Sequence, residues 1–144
     1  MLIFNQGGRF LFYKTHSIEC NNCGYGNSIC LGIGMMYSSL ERVISLVSPK
    51  RREQVLTILH RQDVHDVRYE HKIFICPRCN MLTGRFDFSI AYNDGQVYKP
   101  YFRCPECRTK LIALEEPIDE HIRKIPCPEC GKKSLTYLVE ILWD

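Results

Sequence analysis

Between Leu82 and Tyr92, the large apolar residues Phe86, Phe88, Ile90 and Tyr92 alternate with Arg85, Asp87, Ser89 and Ala91. A period of two places those four side chains on one face of a β-strand. Asn93-Asp94-Gly95-Gln96 follows, and Asp-Gly between alternating segments signals a tight hairpin. With Asp94 and Gly95 as a two-residue loop, Asn93 faces Gln96, Tyr92 faces Val97 and Phe88 faces Tyr101. These are favourable cross-strand pairs. Pro100 has no N–H to give to a ladder, so the returning strand is an edge or carries a bulge that can slip the register by a residue.

Other stretches repeat the strand pattern. Arg9-Phe-Leu-Phe-Tyr-Lys-Thr15 is a second strand, with a partner at residues 2–4 across a Gly7-Gly8 turn. Residues 110–114 and 134–143 are strands as well. Residues 35–62 change period. Tyr37, Leu40, Ile44 and Val47 follow helical spacing, as do Val55, Ile58 and Leu59. Ser48-Pro49 supplies an N-cap residue before a proline at the first helical position. Two short helices joined near Ser48 are expected. Residues 60–71, rich in His, Asp and Arg, are expected to be a polar surface connection. The pattern predicts a mostly β, small α+β chain, one compact domain over residues 1–144 with a helical hairpin inserted at 35–62.

The 144 residues are 45% apolar and 24% charged, a globular and not a disordered composition. Nine cysteines add chemistry. Eight form four pairs: Cys20-Asn-Asn-Cys23, Cys76-Pro-Arg-Cys79, Cys104-Pro-Glu-Cys107 and Cys127-Pro-Glu-Cys130. A disulfide framework fits badly. The count is odd, the chain is long enough to build a core, and Met1-Leu-Ile-Phe-Asn-Gln-Gly-Gly lacks the basic start and apolar stretch of a secretion signal. A redox dithiol explains one pair but not four.

Metal binding explains all four together. Two cysteines two residues apart put both sulfurs on one ion inside a tight turn, and two such turns close a tetrahedral site. The expected cofactors are two structural zinc ions, held by Cys20, Cys23, Cys76, Cys79, Cys104, Cys107, Cys127 and Cys130, with iron the second choice. The hairpin register puts the second and third turns at one end. That favours Cys76, Cys79, Cys104 and Cys107 on one ion and Cys20, Cys23, Cys127 and Cys130 on the other. A sequential pairing also suits the 19 residues between Cys107 and Cys127, and an interleaved cross-brace stays open.

The remaining candidates carry less. Cys30, between Ile29 and Leu31, fits a buried small apolar residue. His16 lies four residues before Cys20 and is either a strand histidine or a substitute ligand. His60, His65 and His71 lack a metal-site order. Gly24 and Gly131, each directly after a knuckle, provide the positive φ that brings backbone amides toward the thiolates. No phosphate-loop fingerprint, catalytic triad or paired carboxylates nominate an enzyme or a small-molecule substrate.

The formal charge of +3 suggests nucleic acid, until the metal is counted. Eight thiolates and two divalent ions take it to −1. Local charge is a better guide. Arg103, Arg108 and Lys110 surround the third knuckle, and Lys132 and Lys133 flank the fourth. With Tyr98, Tyr101 and Phe102 they can form a basic, aromatic face for nucleic acid, or they can simply offset the anionic centres. Lys50-Arg51-Arg52 sits in the first turn of an expected helix, where the dipole disfavours cations. The expected partner is therefore nucleic acid or, alternatively, a protein. No apolar run approaches a membrane span, and the cytoplasm is the expected compartment.

Ile75-Cys-Pro-Arg-Cys79 and Arg103-Cys-Pro-Glu-Cys107, 24 residues apart, resemble the knuckles of the zinc-ribbon, or rubredoxin-like, superfamily. Their gap is similar to that in the transcript-cleavage elongation factors, which carry a paired Asp-Glu at the hairpin tip. Here Asp94 is followed by Gly95, which argues against that activity. Four Cys-x-x-Cys turns in a small chain also resemble the bacterial CpXC-type proteins, although Cys20-Asn-Asn-Cys23 lacks their proline. The resemblance implies zinc-ribbon hairpins and structural zinc, and it fixes a fold far better than a function, because zinc ribbons serve polymerases, ribosomes, nucleases and protein adaptors alike. The basic residues around the third and fourth knuckles make the expected role a non-catalytic binding module associated with nucleic acid or transcription, with a protein-interaction adaptor or accessory subunit as the alternative.

Overall fold

The computed structural model describes residues 3–4, 10–33 and 39–142. In chain order they form β1 (Ile3–Phe4), β2 (Phe10–Cys20), β3 (Gly26–Ile33), α1 (Pro49–Leu59), β4 (Val64–Ile75), β5 (Leu82–Tyr92), β6 (Gln96–Tyr98), β7 (Ile112–Ala113), α2 (Ile118–Arg123) and β8 (Leu135–Leu142). The architecture is mostly β, a small α+β fold as the pattern predicts, and the described residues contain two α-helices, of which only α1 was expected.

The strands pair antiparallel in the order β1 to β6, with β8 on β2 and β7 on β4. The sheet has a thin seam. β3 meets β4 through a single residue pair, Gly32 with His71. On one side lie β1, β2, β3 and β8, which join the two ends of the chain. On the other lies the ribbon of β4 to β7. Ile29 crosses the seam. It packs over Gly84 of β5, where an added Cβ would stand 2.7 Å from the Ile29 Cγ2. Glycine at this point is a packing requirement.

Three apolar clusters hold the layers. Ile18, Ile29, Ile73, Leu82 and Leu135 pack with Ile118 and Ile122 of α2, and buried Cys20 and Cys127 belong to this cluster. Val55 and Ile58 of α1, with Leu40, Val43 and Val47 before it, cover Phe86, Phe88 and Ile90 of β5. Phe74 and Leu111 pack with Cys76 and Cys104, and the Phe102 ring meets Phe74 edge-on at 5.1 Å.

Several elements depart from the sequence expectation. The first inserted helix is reduced, among the described residues, to turns and one 3-10 turn at Ile44–Leu46, while α1 starts at Pro49 as expected. The hairpin loop has three residues. Tyr92 faces Gln96, Ala91 faces Val97 and Ile90 faces Tyr98, so the register is slipped by one. The slip arises in the turn, where Asn93 (φ 54°) and Gly95 (φ 84°) both adopt positive φ, and not at Pro100. The returning strand ends at Tyr98, just before Lys99-Pro100.

Residues 60–71 are the largest departure, because most of them belong to β4. Val67, Tyr69, His71 and Ile73 alternate along one face, opposite Ile90, Phe88, Phe86 and Gly84. Charged residues occupy the other face, where Lys72 bridges Glu70 and Asp87 at 3.8 and 3.3 Å. Strand β3 and helix α2 also went unexpected. β3 contains glycines and is defined by its ladder with β2. α2 has six residues, with Ile118 and Ile122 buried at i, i+4. The Gly7-Gly8 turn lies outside the described residues, but Ile3 and Phe4 do pair with Leu11 and Phe10.

Candidate metal centres

The four Cys-x-x-Cys turns are copies of one backbone device. In each, the first cysteine's N–H donates to the carbonyl five residues on: Cys20 to Tyr25, Cys76 to Met81, Cys104 to Thr109 and Cys127 to Lys132, at 2.8–2.9 Å. The first cysteine's carbonyl in turn accepts from the residue four positions on: Gly24, Asn80, Arg108 and Gly131, at 2.8–3.1 Å. Closing both bonds puts that residue in the left-handed region, with φ of 77°, 61°, 66° and 77°. Glycine meets this demand at no steric cost, asparagine tolerates it, and arginine is strained there. The sequence reading found Gly24 and Gly131. Aligning the four turns on their first cysteine is the signal that finds Asn80 and Arg108.

The turns meet in two groups. Cys20, Cys23, Cys127 and Cys130 form one, and Cys76, Cys79, Cys104 and Cys107 the other. Within each, the ligand atoms all lie within 4.8 Å of one another. This is the nested arrangement that the hairpin favoured. The slipped register leaves it intact, because the knuckles sit at the far end of the ribbon and Arg103 bridges to Lys110 beside them. At the chain ends, β8 pairs with β2 so that Leu135 faces Cys20.

The donor geometry suits a metal. A tetrahedral ion with metal–sulfur bonds of about 2.3 Å needs sulfurs roughly 3.8 Å apart. Cys20 and Cys130 are 3.7 Å apart, Cys23 and Cys127 3.6 Å, and Cys76 and Cys107 3.5 Å. A disulfide needs about 2.05 Å, and all eight cysteines are free. These two groups could hold two metal ions.

Hydroxyl and backbone groups hydrogen-bond the sulfurs. The Ser134 hydroxyl lies 3.0 Å from the Cys20 sulfur, and this contact chiefly pulls the Cys20 thiol down to about 6. The Cys107 sulfur lies 3.1 Å from Thr109 Oγ1, and the Thr109 side chain and backbone chiefly pull that thiol down to about 6. Their neighbours go the other way. Cys79 is pushed up to about 12, first by its hydrogen bond with Cys107 and then by burial. Cys23 accepts a lowering bond from the Tyr25 backbone, but burial and the three other sulfurs outweigh it and raise it to about 12. Cys130 is lowered as well, first by the Lys132 backbone. Each group thus holds at least one thiol that ionises readily beside one that resists, and a dication would favour the thiolate form of all four. The Cys79 and Glu129 N–H groups also donate to sulfur, at 3.3 and 3.4 Å.

The five basic candidates divide between the groups. Arg103, Arg108 and Lys110 are exposed beside Cys104 and Cys107, and Lys132 and Lys133 are exposed beside Cys127 and Cys130. Lys132 reaches Asn22 Oδ1 at 3.3 Å. Among the described residues, no lysine or arginine side chain hydrogen-bonds a cysteine sulfur. The side chains of His16 and Cys30 lie outside the described residues. Their backbones pair with Ile29 and Thr15 respectively.

Comparison with protein families, curated proteins and solved structures found no match to the chain. The likeness to zinc ribbons therefore rests on the two four-cysteine groups.

Proposed function

We propose that the chain is a non-catalytic binding module, folded as one unit around two structural zinc ions, and that its ligand is nucleic acid. The observation that carries the zinc reading is the pair of closed, four-sulfur groups, which leave no ligand position open for water or substrate. Zinc is favoured over iron because it has no redox chemistry and its tetrahedral four-thiolate sites serve folding. Free thiol clusters suit a reducing compartment such as the cytoplasm, and no helix among the described residues is long and apolar enough to cross a membrane. Purified protein should be colourless, with two zinc ions per chain, and should lose its cooperative melt on complete chelation. A red, iron-loaded protein, or a melt that survives metal removal, overturns the zinc reading.

Nucleic acid is supported by the basic residues along the ribbon. Lys50, Arg51, Lys99, Arg103, Arg108 and Lys110 join no ion pair among the described residues, whereas Arg61, Arg68, Lys72 and Arg123 each pair with a carboxylate. Titrating metal-loaded protein with single- and double-stranded DNA and RNA across a salt series tests this. Micromolar or tighter binding that weakens steeply with salt supports phosphate contacts, and no binding at low salt removes them. A second reading, a protein-interaction adaptor, is favoured by exposed Ile112 and Leu138, at 54% and 69% exposure. A concentration-dependent dimer or a co-purifying partner lost in Leu138→Lys would support it.

A further inference from the structure

A cluster beside the ribbon joins two segments that are far apart in sequence. Arg51 comes from α1, while Tyr98, Tyr101, Arg103 and Arg108 lie along the stretch from the end of β6 through the third knuckle. The Arg51 guanidinium donates to the Tyr98 hydroxyl at 3.3 Å, and that hydroxyl donates to Gln54 at 3.3 Å. The same guanidinium lies over the Tyr101 ring, 5.0 Å from its centroid, and the Arg103 guanidinium lies over that ring at 5.5 Å. Tyr101 is half exposed. One exposed aromatic ring thus contacts two guanidiniums.

Both guanidiniums stack on one ring and keep their charge available to an outside group. Neither arginine has a carboxylate partner among the described residues. Neither hydrogen-bonds a cysteine sulfur among those residues. Arg103 directs Nη1 to the Arg108 carbonyl at 3.2 Å, and the ribbon sulfurs contact one another, the Thr109 hydroxyl and the Cys79 N–H. Arg108 adds an independent observation. It occupies the left-handed position that two sister knuckles fill with glycine. Strain that persists at an exposed arginine points to a use for its side chain.

We propose that Arg51, Arg103 and Arg108, with Tyr101 as the positioning residue, form the contact surface for the phosphodiester backbone of a nucleic acid. The Arg51 and Arg103 guanidiniums, held over the Tyr101 ring, match phosphate oxygens bidentately and lose little freedom on binding. The exposed Arg108 side chain, with Lys50, Lys99 and Lys110, extends the positive surface without a fixed geometry. Lys132 and Lys133 belong to the other four-cysteine group and lie outside this surface. The proposal rests on the nucleic-acid reading above and narrows it to one face and a named set of side chains.

The test is fluorescence anisotropy of the metal-loaded full chain with labelled 20-nucleotide single strands and duplexes, over a sodium chloride series. Arg51→Gln and Arg103→Gln should each weaken binding by roughly three- to tenfold, and each should flatten the plot of log affinity against log salt by roughly 0.7 to 1. Arg108→Gly should weaken binding while raising the melting temperature. Tyr101→Ala should weaken it, and Tyr101→Phe should restore it, since the ring and not the hydroxyl holds the guanidiniums. Metal content and thermal melts confirm that each variant is folded. If the parent chain binds no oligonucleotide, the nucleic-acid reading fails and takes this surface with it. If the parent binds, the arginine variants bind equally well and Lys132→Gln with Lys133→Gln abolishes binding, only this surface is overturned. Equal competition by poly-glutamate overturns it in favour of an acidic protein partner.

Discussion

The two four-cysteine groups share ligands and turn geometry, yet they sit in different surroundings. The terminal group joins cysteines 104 to 110 residues apart, whereas the ribbon group spans 31 between Cys76 and Cys107. Closing the longer loop costs only about 1 kcal/mol more, so loop length does not separate them. Neighbours do. Cys20 and Cys127 are members of the cluster that packs β2, β3, β4, β5, β8 and α2 together. Cys76 and Cys104 belong to a small satellite with Phe74 and Leu111. Past Tyr98 the ribbon's returning chain has only the Arg103–Lys110 bridge and a two-residue strand. A metal between long paired strands secures the core, while a metal under a sparse loop shapes that loop.

The largest expected effect follows from that contrast. A structural zinc site contributes on the order of 10 kcal/mol, comparable with the roughly 5–15 kcal/mol total stability of a domain. Cys127→Ser should abolish the cooperative melt. Cys104→Ser should leave a melt and one bound zinc, with hydrogen-exchange protection lost around residues 99–113. Metal analysis, calorimetry and exchange together read this out, and the opposite pattern would reverse the ranking of the two centres.

The seam between the halves comes next. Gly84→Ala should destabilise by roughly 1–3 kcal/mol, because the new Cβ strikes Ile29. In an Ile29→Ala background the same change should cost much less, and a double-mutant cycle by chemical denaturation measures the difference. Additive costs would mean that Ile29 does not join the halves through this contact.

The left-handed knuckle position gives opposite signs in the two groups. Arg108→Gly should stabilise the ribbon group by about 1 kcal/mol, and Gly131→Ala should destabilise the terminal group by about 1–2 kcal/mol. Denaturation midpoints at fixed zinc decide it.

The smallest effect concerns His71 on β4, beside the seam. Burial lowers its pKa below the usual histidine range near 6.5. The unfolded chain therefore takes the proton first as pH falls. This contribution to stability is complete above about pH 6.5 and is lost as pH drops through the lowered folded value. His71→Phe should flatten the fall in melting temperature between pH 7 and pH 5.5, once equal zinc content has been verified at both. An unchanged slope would remove His71 from the acid response.

Legibility in the sequence followed the physics of each element. β5 and α1 announced themselves because each buries a periodic apolar face, Phe86–Phe88–Ile90 in one case and Val55–Ile58 in the other. β4 stayed hidden because its apolar face is interrupted by His71 and its other face carries paired charges. Two of those pairs join neighbours on one face of β4 itself, and the third, Lys72 with Asp87, forms only when the strand lies against β5. The one-residue register slip was hidden for a related reason, since Asn93 and Asp94-Gly95 admit both a two- and a three-residue loop. All eight candidate ligands could be found because Cys-x-x-Cys is a local demand, met inside a single turn.

Local chemistry thus decided the candidate metal ligands, the hairpin and the second inserted helix, because each depends on residues within a few positions of one another. The hairpin already favoured the second and third turns on one centre, and tertiary structure decided among the pairings left open, since the terminal group depends on β2 meeting β8 across the whole chain. It also decided that Arg51 and Arg103 lie over one tyrosine, a contact between segments with no shared periodicity. Burial leaves a periodic mark on a sequence, and the meeting of distant surfaces does not.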